Sequence, residues 1–313
     1  MALLNDNIDE ANIHRFTHKA MATIYEILIE YDDTLYAEQA AKAAFDEIDR
    51  LENELSRFLP SSEISKINNL KAGEILFLSE DTFECLIQSQ KSFEITNGAF
   101  DITLGSFKEK WRKENFQSER NYDKKMFHIN QLFEINEIDH TIKVLNEDLN
   151  IDLGGIGKGY ALDKVCDLLL EWDIPNAFIH GGGSSVKSIG GLSKFHGWPI
   201  TLSNPSIPKQ TLVDILIKDF SISASGVKKG EHILDPVTKK PITKRKSAWA
   251  IAGSAVLSDA LSTAFMIMDI DSVLELCKTN NDIGAMIIED EKDELDQDDL
   301  IMSDNFRIDK MLI

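Results

Sequence analysis

The stretch NIDLGGIGKGYALDKVCDLLLEW, Asn150 to Trp172, carries Gly154, Gly155, Gly157 and Gly159 within six residues, between a strand-like and a helix-like run. A backbone this bare is committed to a close approach, because residues without a Cβ let the main chain touch what side chains would hold off. A strand–glycine–helix junction also exposes the first N–H groups of a helix and the positive end of its dipole. Two readings follow from the residues: an anion site, with phosphate the natural occupant, or glycines that permit tight packing of strand and helix. Two nucleotide fingerprints are excluded. A P-loop needs Ser or Thr after Gly-Lys, and here Lys158 precedes Gly159; the G-x-G-x-x-G spacing would need glycine where Leu162 stands.

Around this junction the chain alternates between helical and strand periods. TIYEILIEY reads as a strand, and TLYAEQAAKAAFDEIDRLENELS as a long amphipathic helix with Leu35, Ala41, Ala44, Phe45, Ile48, Leu51 and Leu55 on its apolar side. A short strand, GEILFLS, precedes a second helix, EDTFECLIQSQKSFEITN, with Ser79 as its N-cap and Gly98 as its stop. LFEIN, TIKVLN and NIDLG read as strands, as do NAFIHGGGSS, WPITLSN, LVDILIKDFSISAS, HILDP and SAWAIAGS. The helices SAVLSDALSTAFMIMD and SVLELCKTN precede the terminal strands GAMIIED and LIMSD. Without strict βαβ alternation, the expectation is an α+β fold: a single large domain with an extensive, mostly antiparallel sheet flanked by helices. Residues 1–20 are set apart as an N-terminal extension of a domain spanning 21–313.

Composition narrows the partners. A formal net charge of −20 over 313 residues argues against nucleic acid, whose phosphates require clustered Lys and Arg. An anionic small ligand would then need backbone N–H groups, a metal ion or a few placed cations. Cys85, Cys166 and Cys277 are widely spaced within amphipathic segments, the pattern of small buried hydrophobes rather than of a disulfide framework or zinc knuckle. EDEKDELDQDD, Glu289 to Asp299, reads as a solvated loop or hairpin tip. The N-terminal residues have no charged n-region followed by an apolar run, and no apolar stretch approaches the roughly 18–20 residues of a membrane span. A cytoplasmic protein is expected, or a periplasmic one if a leader has been removed.

Three further stretches carry chemistry. In LSDALSTAF, Asp259 and Thr263 stand four residues apart, on one helix face, and offer hard oxygen donors of the kind Mg²⁺ accepts beside phosphate and water; a solvated helix face gives the same spacing. In SASGVKKGEHILDPVTKKPI, His232 lies beside an acid and near lysines, where it serves as proton acceptor, phosphate contact or structural residue. HGGGSS, His180 to Ser185, suits either a ligand passing close to backbone or a tight turn.

Taken together and in order, MAT (Met21–Thr23), LSRFLPSSEISKIN, GAFDITLG, IDLGGIGKGYALD, HGGGSS, SASG, HILDP and SDALSTAF resemble the ApbE family, the FAD:protein FMN transferases, from about residue 20 to 310. That resemblance implies an ApbE-like flavin transferase domain with an architecture related to the T-fold. It implies FAD as substrate, Mg²⁺ as cofactor, and transfer of FMN to a Ser or Thr hydroxyl of an acceptor flavoprotein with release of AMP. By motif, Asp259, Ser262, Thr263 and the Gly157 carbonyl would hold the metal. Met21, Phe58, Phe100, Asp101, Ile102, Gly154, Lys158, Tyr160 and Ile233 would line the FAD site. His232 would assist deprotonation of the acceptor, with Asp259 also catalytic through the metal. Ala22, Ser184 and Lys240 depart from the family pattern, which usually has glycine, aspartate and glycine there. Hydrolysis of FAD to FMN and AMP, and FAD binding without turnover, are the alternatives that this pattern leaves.

Overall fold

The computed structural model describes residues 2–3, 12–113, 129–207, 209–227, 233–242, 245–289 and 294–313. A two-residue strand β1 (Ala2–Leu3) is followed by a hairpin of β2 (Ile13–Ala20) and β3 (Thr23–Glu30). Residues 13–20, set apart above as an extension, are thus an edge strand paired with β3 along their whole length. The IHRFTHKA pattern alternates as a one-sided strand does, but its charged and aromatic outer face hid it. The hairpin turns at Met21 (φ 48°) and Ala22 (φ 57°), both in the left-handed region that a two-residue turn of this hand demands. A glycine would take that conformation without strain; the alanine does not.

Helix α1 (Thr34–Leu55) starts at Asp33, whose carboxylate accepts the Leu35 and Tyr36 amides. Its buried stripe is Ala37, Ala40, Ala41, Ala44, Ile48, Leu51 and Leu55. Leu35, assigned to that stripe from spacing, is 62% exposed, because it lies off the helix face that Ala37, Ala40, Ala41 and Ala44 bury. Helix α2 (Glu63–Asn68), strand β4 (Ile75–Phe77) and helix α3 (Glu80–Ile95) follow, α3 capped by Ser79 as expected. A 3₁₀ turn at Ile102–Leu104 leads into α4 (Gly105–Lys113); α5 (Ile129–Leu132) then precedes the hairpin of β5 (Phe133–Asn136) and β6 (Thr141–Val144). NIDLG is not a strand. The Ile151 amide donates to the Asn68 side chain and the Asp152 amide to the Ile102 carbonyl, so its polar groups are satisfied outside any sheet.

Helix α6 (Gly157–Glu171) springs from the glycine cluster, then β7 (Ala177–Gly181), β8 (Ser185–Ile189), β9 (Trp198–Ser203), β10 (Thr211–Ile217), β11 (Ser221–Gly226) and β12 (Ser247–Ala252). LVDILIKDFSISAS, read as one strand, breaks into β10 and β11 at Asp219 (φ 59°). Among its described residues, HILDP contributes an isolated bridge, Leu234 to Pro241, rather than a strand. The chain ends with α7 (Ala255–Phe265), α8 (Ile270–Thr279), β13 (Gly284–Ile288), β14 (Ile301–Met302) and β15 (Lys310–Met311).

Eight strands form one sheet in the order β14-β13-β12-β11-β8-β7-β3-β2, antiparallel throughout. One face, with Tyr25, Ile27, Ile29, Ala177 and Ile179, packs on α1 and α6; further along, Ala248, Ala250, Ala285 and Ile287 pack on α7 and α8. Alternate residues, among them Leu28, Phe178, Ile222, Trp249 and Ile251, face the second sheet, β1-β9-β10-β15. A third core joins α2, α3 and the small sheet β4-β6-β5 to the inner sides of α1, α6 and α7. The expected α+β domain with a large antiparallel sheet is therefore present. The three cysteines are buried and unpaired, and among the described residues no helix is long and apolar enough to cross a membrane.

Helices α6 and α7 meet at Gly159. A Cβ there would lie 2.1 Å from the Ala255 carbonyl oxygen and 2.8 Å from the Asp259 Cβ. Gly159→Ala should destabilise the protein by about 1–3 kcal/mol, the usual cost of overpacking, and lower Tm in a calorimetric scan; Gly253→Ala, where an added Cβ meets nothing within 4 Å, is the matched control. Ala22→Gly should instead raise stability by about 1 kcal/mol through relief of left-handed strain, read from the denaturation midpoint.

Candidate functional site

The fold brings α7, the glycine cluster, the ends of β11 and β12 and the turn Gly182–Ser184 around a cavity of about 470 Å³. Asp259 is its chemical centre. It sits on α7, 3% exposed, and its carboxylate receives three kinds of contact. Lys158 Nζ lies 3.0 Å from both oxygens, the Gly159 amide donates to Oδ2 at 3.0 Å, and the Ser185 hydroxyl donates to Oδ1 at 3.0 Å. A carboxylate this buried persists only when paired and hydrogen-bonded, and the partners come from two distant parts of the chain: Lys158 and Gly159 from the first turn of α6 and Ser185 from the start of β8.

Helix α7 is placed by an acid that the sequence reading left unassigned. Asp163 accepts the Ala255 and Val256 amides, each at 2.8 Å, which satisfies the first donors of the helix and complements its dipole. Lys187 neutralises the same carboxylate at 2.5 Å. A ladder of hydroxyls fixes the long side of α7 against the sheet. Ser221 and Ser223 share Ser258, and Ser225 lies 2.9 Å from the Ser262 hydroxyl and 3.2 Å from that of Thr263. The signal for this was SISAS: serine at every second residue of a strand aims three hydroxyls at one face.

Of the residues singled out for the metal, Asp259 and Thr263 both line the cavity. Ser262 does not: its hydroxyl donates to the Asp259 carbonyl at 2.9 Å. Gly157 begins α6 and gives its amide to the Leu153 carbonyl. Gly155 is the cluster residue nearest Thr263, with a Cβ built there 3.3 Å from Oγ1.

Of those singled out for the nucleotide, Phe100, Asp101, Gly154, Lys158 and Ile233 line the cavity. Asp101 also accepts the Thr103 amide and hydroxyl. Ile102 packs into the third core. Met21 lies at the hairpin corner, its Sδ accepting the Tyr25 hydroxyl at 3.1 Å. Phe58 is 66% exposed, outside the cavity wall, with the Arg57 guanidinium 5.2 Å from its ring centroid. Tyr160 points away: its hydroxyl donates to Asp81 and Glu84, both at 2.8 Å, on the far side of α6. Helical geometry explains this, since neighbours two apart project to different sides and Lys158 takes the cavity side. His232 lies outside the described residues; so does part of the acidic stretch from Glu289 to Asp299.

One residue missed by sequence reading shapes the mouth. Asp152 accepts the Gly154 amide at 2.8 Å and pairs with Lys108 at 3.2 Å and Arg57 at 3.3 Å. Burial pushes its carboxyl pKa up, but Lys108, the Gly154 amide and Arg57 together outweigh that and hold it below the usual carboxylate range. The glycine loop is therefore anchored by an ionised side chain of its own. Ser184, one of the departures, lines the cavity.

Residues 21–287 match the ApbE family. Among curated proteins, the chain is 26% identical to the FAD:protein FMN transferase of Buchnera aphidicola (subsp. Schizaphis graminum), across 85% of this chain and 83% of that one. It is 28% identical to that of Vibrio cholerae, across 77% and 78%. Among solved structures, the ApbE protein of Thermotoga maritima superposes with a TM-score of 0.83 at 25% identity, covering 94% of this chain and 98% of that one. The flavin transferase ApbE of Vibrio cholerae does so with a TM-score of 0.80 at 22% identity and the same coverage. With most of its length matched and its cavity built on the glycine cluster and the Asp259 helix, this chain belongs to the ApbE family.

Proposed function

We propose that this protein is an FAD:protein FMN transferase, moving FMN from FAD to a Ser or Thr hydroxyl of an acceptor protein and releasing AMP. The observation that carries the reading is the buried Asp259 carboxylate at the floor of a cavity walled by the glycine cluster, with a lysine ammonium on both of its oxygens. A site that takes a pyrophosphate needs positive charge and backbone donors in a protected space. This one supplies them within a chain of net charge −20.

Asp259 and Thr263 are the residues that would hold Mg²⁺. Their donors are hard oxygens on one helix face, and Lys158 Nζ, bridging both Asp259 oxygens at 3.0 Å, marks a place where the protein itself stations a cation. When bound, the ion would neutralise charge on the phosphates as the bond between FMN and AMP breaks. The protein's own contributions are positional. Asp163 and the serine ladder set α7, Asp152 anchors the Gly154 loop, and Lys158 brings charge to the cavity floor. The acceptor oxygen forms a bond to the FMN phosphorus, the bond from that phosphorus to the bridging oxygen breaks, AMP leaves with that oxygen, and the hydroxyl proton passes to a base.

Co-expression with an acceptor protein should give a fluorescent band in a denaturing gel and a mass increase equal to one FMN less one water. AMP and free FMN produced from FAD at the same rate without any acceptor, and no labelled protein, would replace transfer with hydrolysis. Asp259→Ala should reduce labelling by at least 100-fold, on the scale of losing one preorganised electrostatic group at a reacting centre; labelling at the wild-type rate would remove Asp259 from the chemistry.

A further inference from the structure

Four buried side-chain polar atoms among the described residues have no hydrogen-bond partner: Asn150 Oδ1, His180 Nε2, Ser188 Oγ and Ser247 Oγ. Of the four residues, Ser247 alone belongs to the cavity wall. It is 2% exposed, and an unsatisfied buried hydroxyl is a standing cost to the fold that a ligand hydrogen bond would repay. Its position on β12 explains why nothing among the described residues bonds it. Ser247, Trp249 and Ile251 share the face turned toward the second sheet, while Ala248 and Ala250 pack on the helices. Directly across the ladder stands Gly226, which has no side chain to cover the hydroxyl. With no bond to hold it, the hydroxyl turns between staggered positions at little cost.

This end of the cavity differs in chemistry from the end at Asp259. Trp249, Ala224 and Pro205 give it apolar and flat surfaces, suited to the faces of a planar ring, and Ser247 adds one group that both donates and accepts. We propose that Ser247 is a specificity-determining contact for the adenine edge of FAD, the ring lying between β12 and the loop after β9; this rests on the transferase reading. Adenine is the half of the nucleotide that fits the chemistry. FMN leaves the site attached to a protein, so its ring must withdraw with a bulky carrier, whereas AMP departs as a small molecule and suits the apolar end walled by Trp249, Ala224 and Pro205.

Binding of AMP and of FMN, each alone, to the full-length wild type and to Ser247→Ala, measured by calorimetry together with the Tm of the ligand-free proteins, tests this. The expected result is a 5- to 10-fold loss of AMP affinity in the variant, the scale of one hydrogen bond to a neutral partner, FMN affinity unchanged within twofold, and a ligand-free Tm equal to or above that of the wild type. AMP affinity unchanged in the variant would overturn the proposal, as would a loss for FMN alone. So would a fall in Tm with both affinities reduced, which would make the hydroxyl structural. A wild type that labels an acceptor with FMN while the variant binds AMP normally removes the role of Ser247 and leaves the transferase reading standing; a wild type that binds neither FAD nor AMP removes both.

Discussion

Helix α6 reaches α7 only because Gly159 presents no Cβ to the Ala255 carbonyl, and the distance gained there decides what the cavity can be. At that separation the Gly159 amide bonds Asp259 directly, Lys158 one residue earlier reaches both carboxylate oxygens, and Asp163 one turn later reaches the first amides of α7. One helix face thus contributes an amide, an ammonium and a carboxylate to one neighbour. The glycine cluster is a packing device and a site-building device at the same time, so the two readings that the sequence left open describe a single contact.

Around that contact the molecule separates rigid parts from adaptable ones. The α7 helix is held from below by the large sheet through the serine ladder, from its N-terminus by Asp163 and Lys187, and from its flank by α6. Opposite it the cavity is lined by the 3₁₀ turn near Asp101, the segment after β9, Ile233 and Leu234, together with Ser247 and Trp249 of β12. Chemistry placed on a braced helix and substrate contacts placed largely on loops is the division expected when one group must stay within tenths of an ångström and another must let product out.

Much of this was legible beforehand, for local reasons. Ser79 and the spacing behind it gave α3; alanine and isoleucine periodicity gave α1; Asp259 and Thr263, four apart, did share a face and did reach the cavity. What escaped depended on partners distant in sequence. Tyr160 was placed along the FAD by its position in the family motif, but α6 carries it to Asp81 and Glu84 on α3. NIDLG had the composition of a strand, and Asn68 satisfied it instead. The strand Ile13–Ala20 escaped because its exposed face mixes histidine, arginine and lysine with phenylalanine, which blurs the alternation. Asp163 stood inside the quoted motif, yet capping of another helix across 92 residues of chain has no local signature.

The pairing of Lys158 with Asp259 has a consequence for how the site fills. The ammonium belongs to the residue just before Gly159, whose amide already bonds Asp259, so its effective concentration at the carboxylate is that of an intramolecular partner. The Mg²⁺ proposed above would compete with it for Asp259, and an ammonium so displaced would stay in the cavity, where an entering phosphate could take it as a partner. On that reading cation and nucleotide would load together, each positive charge admitted at Asp259 freeing another for phosphate.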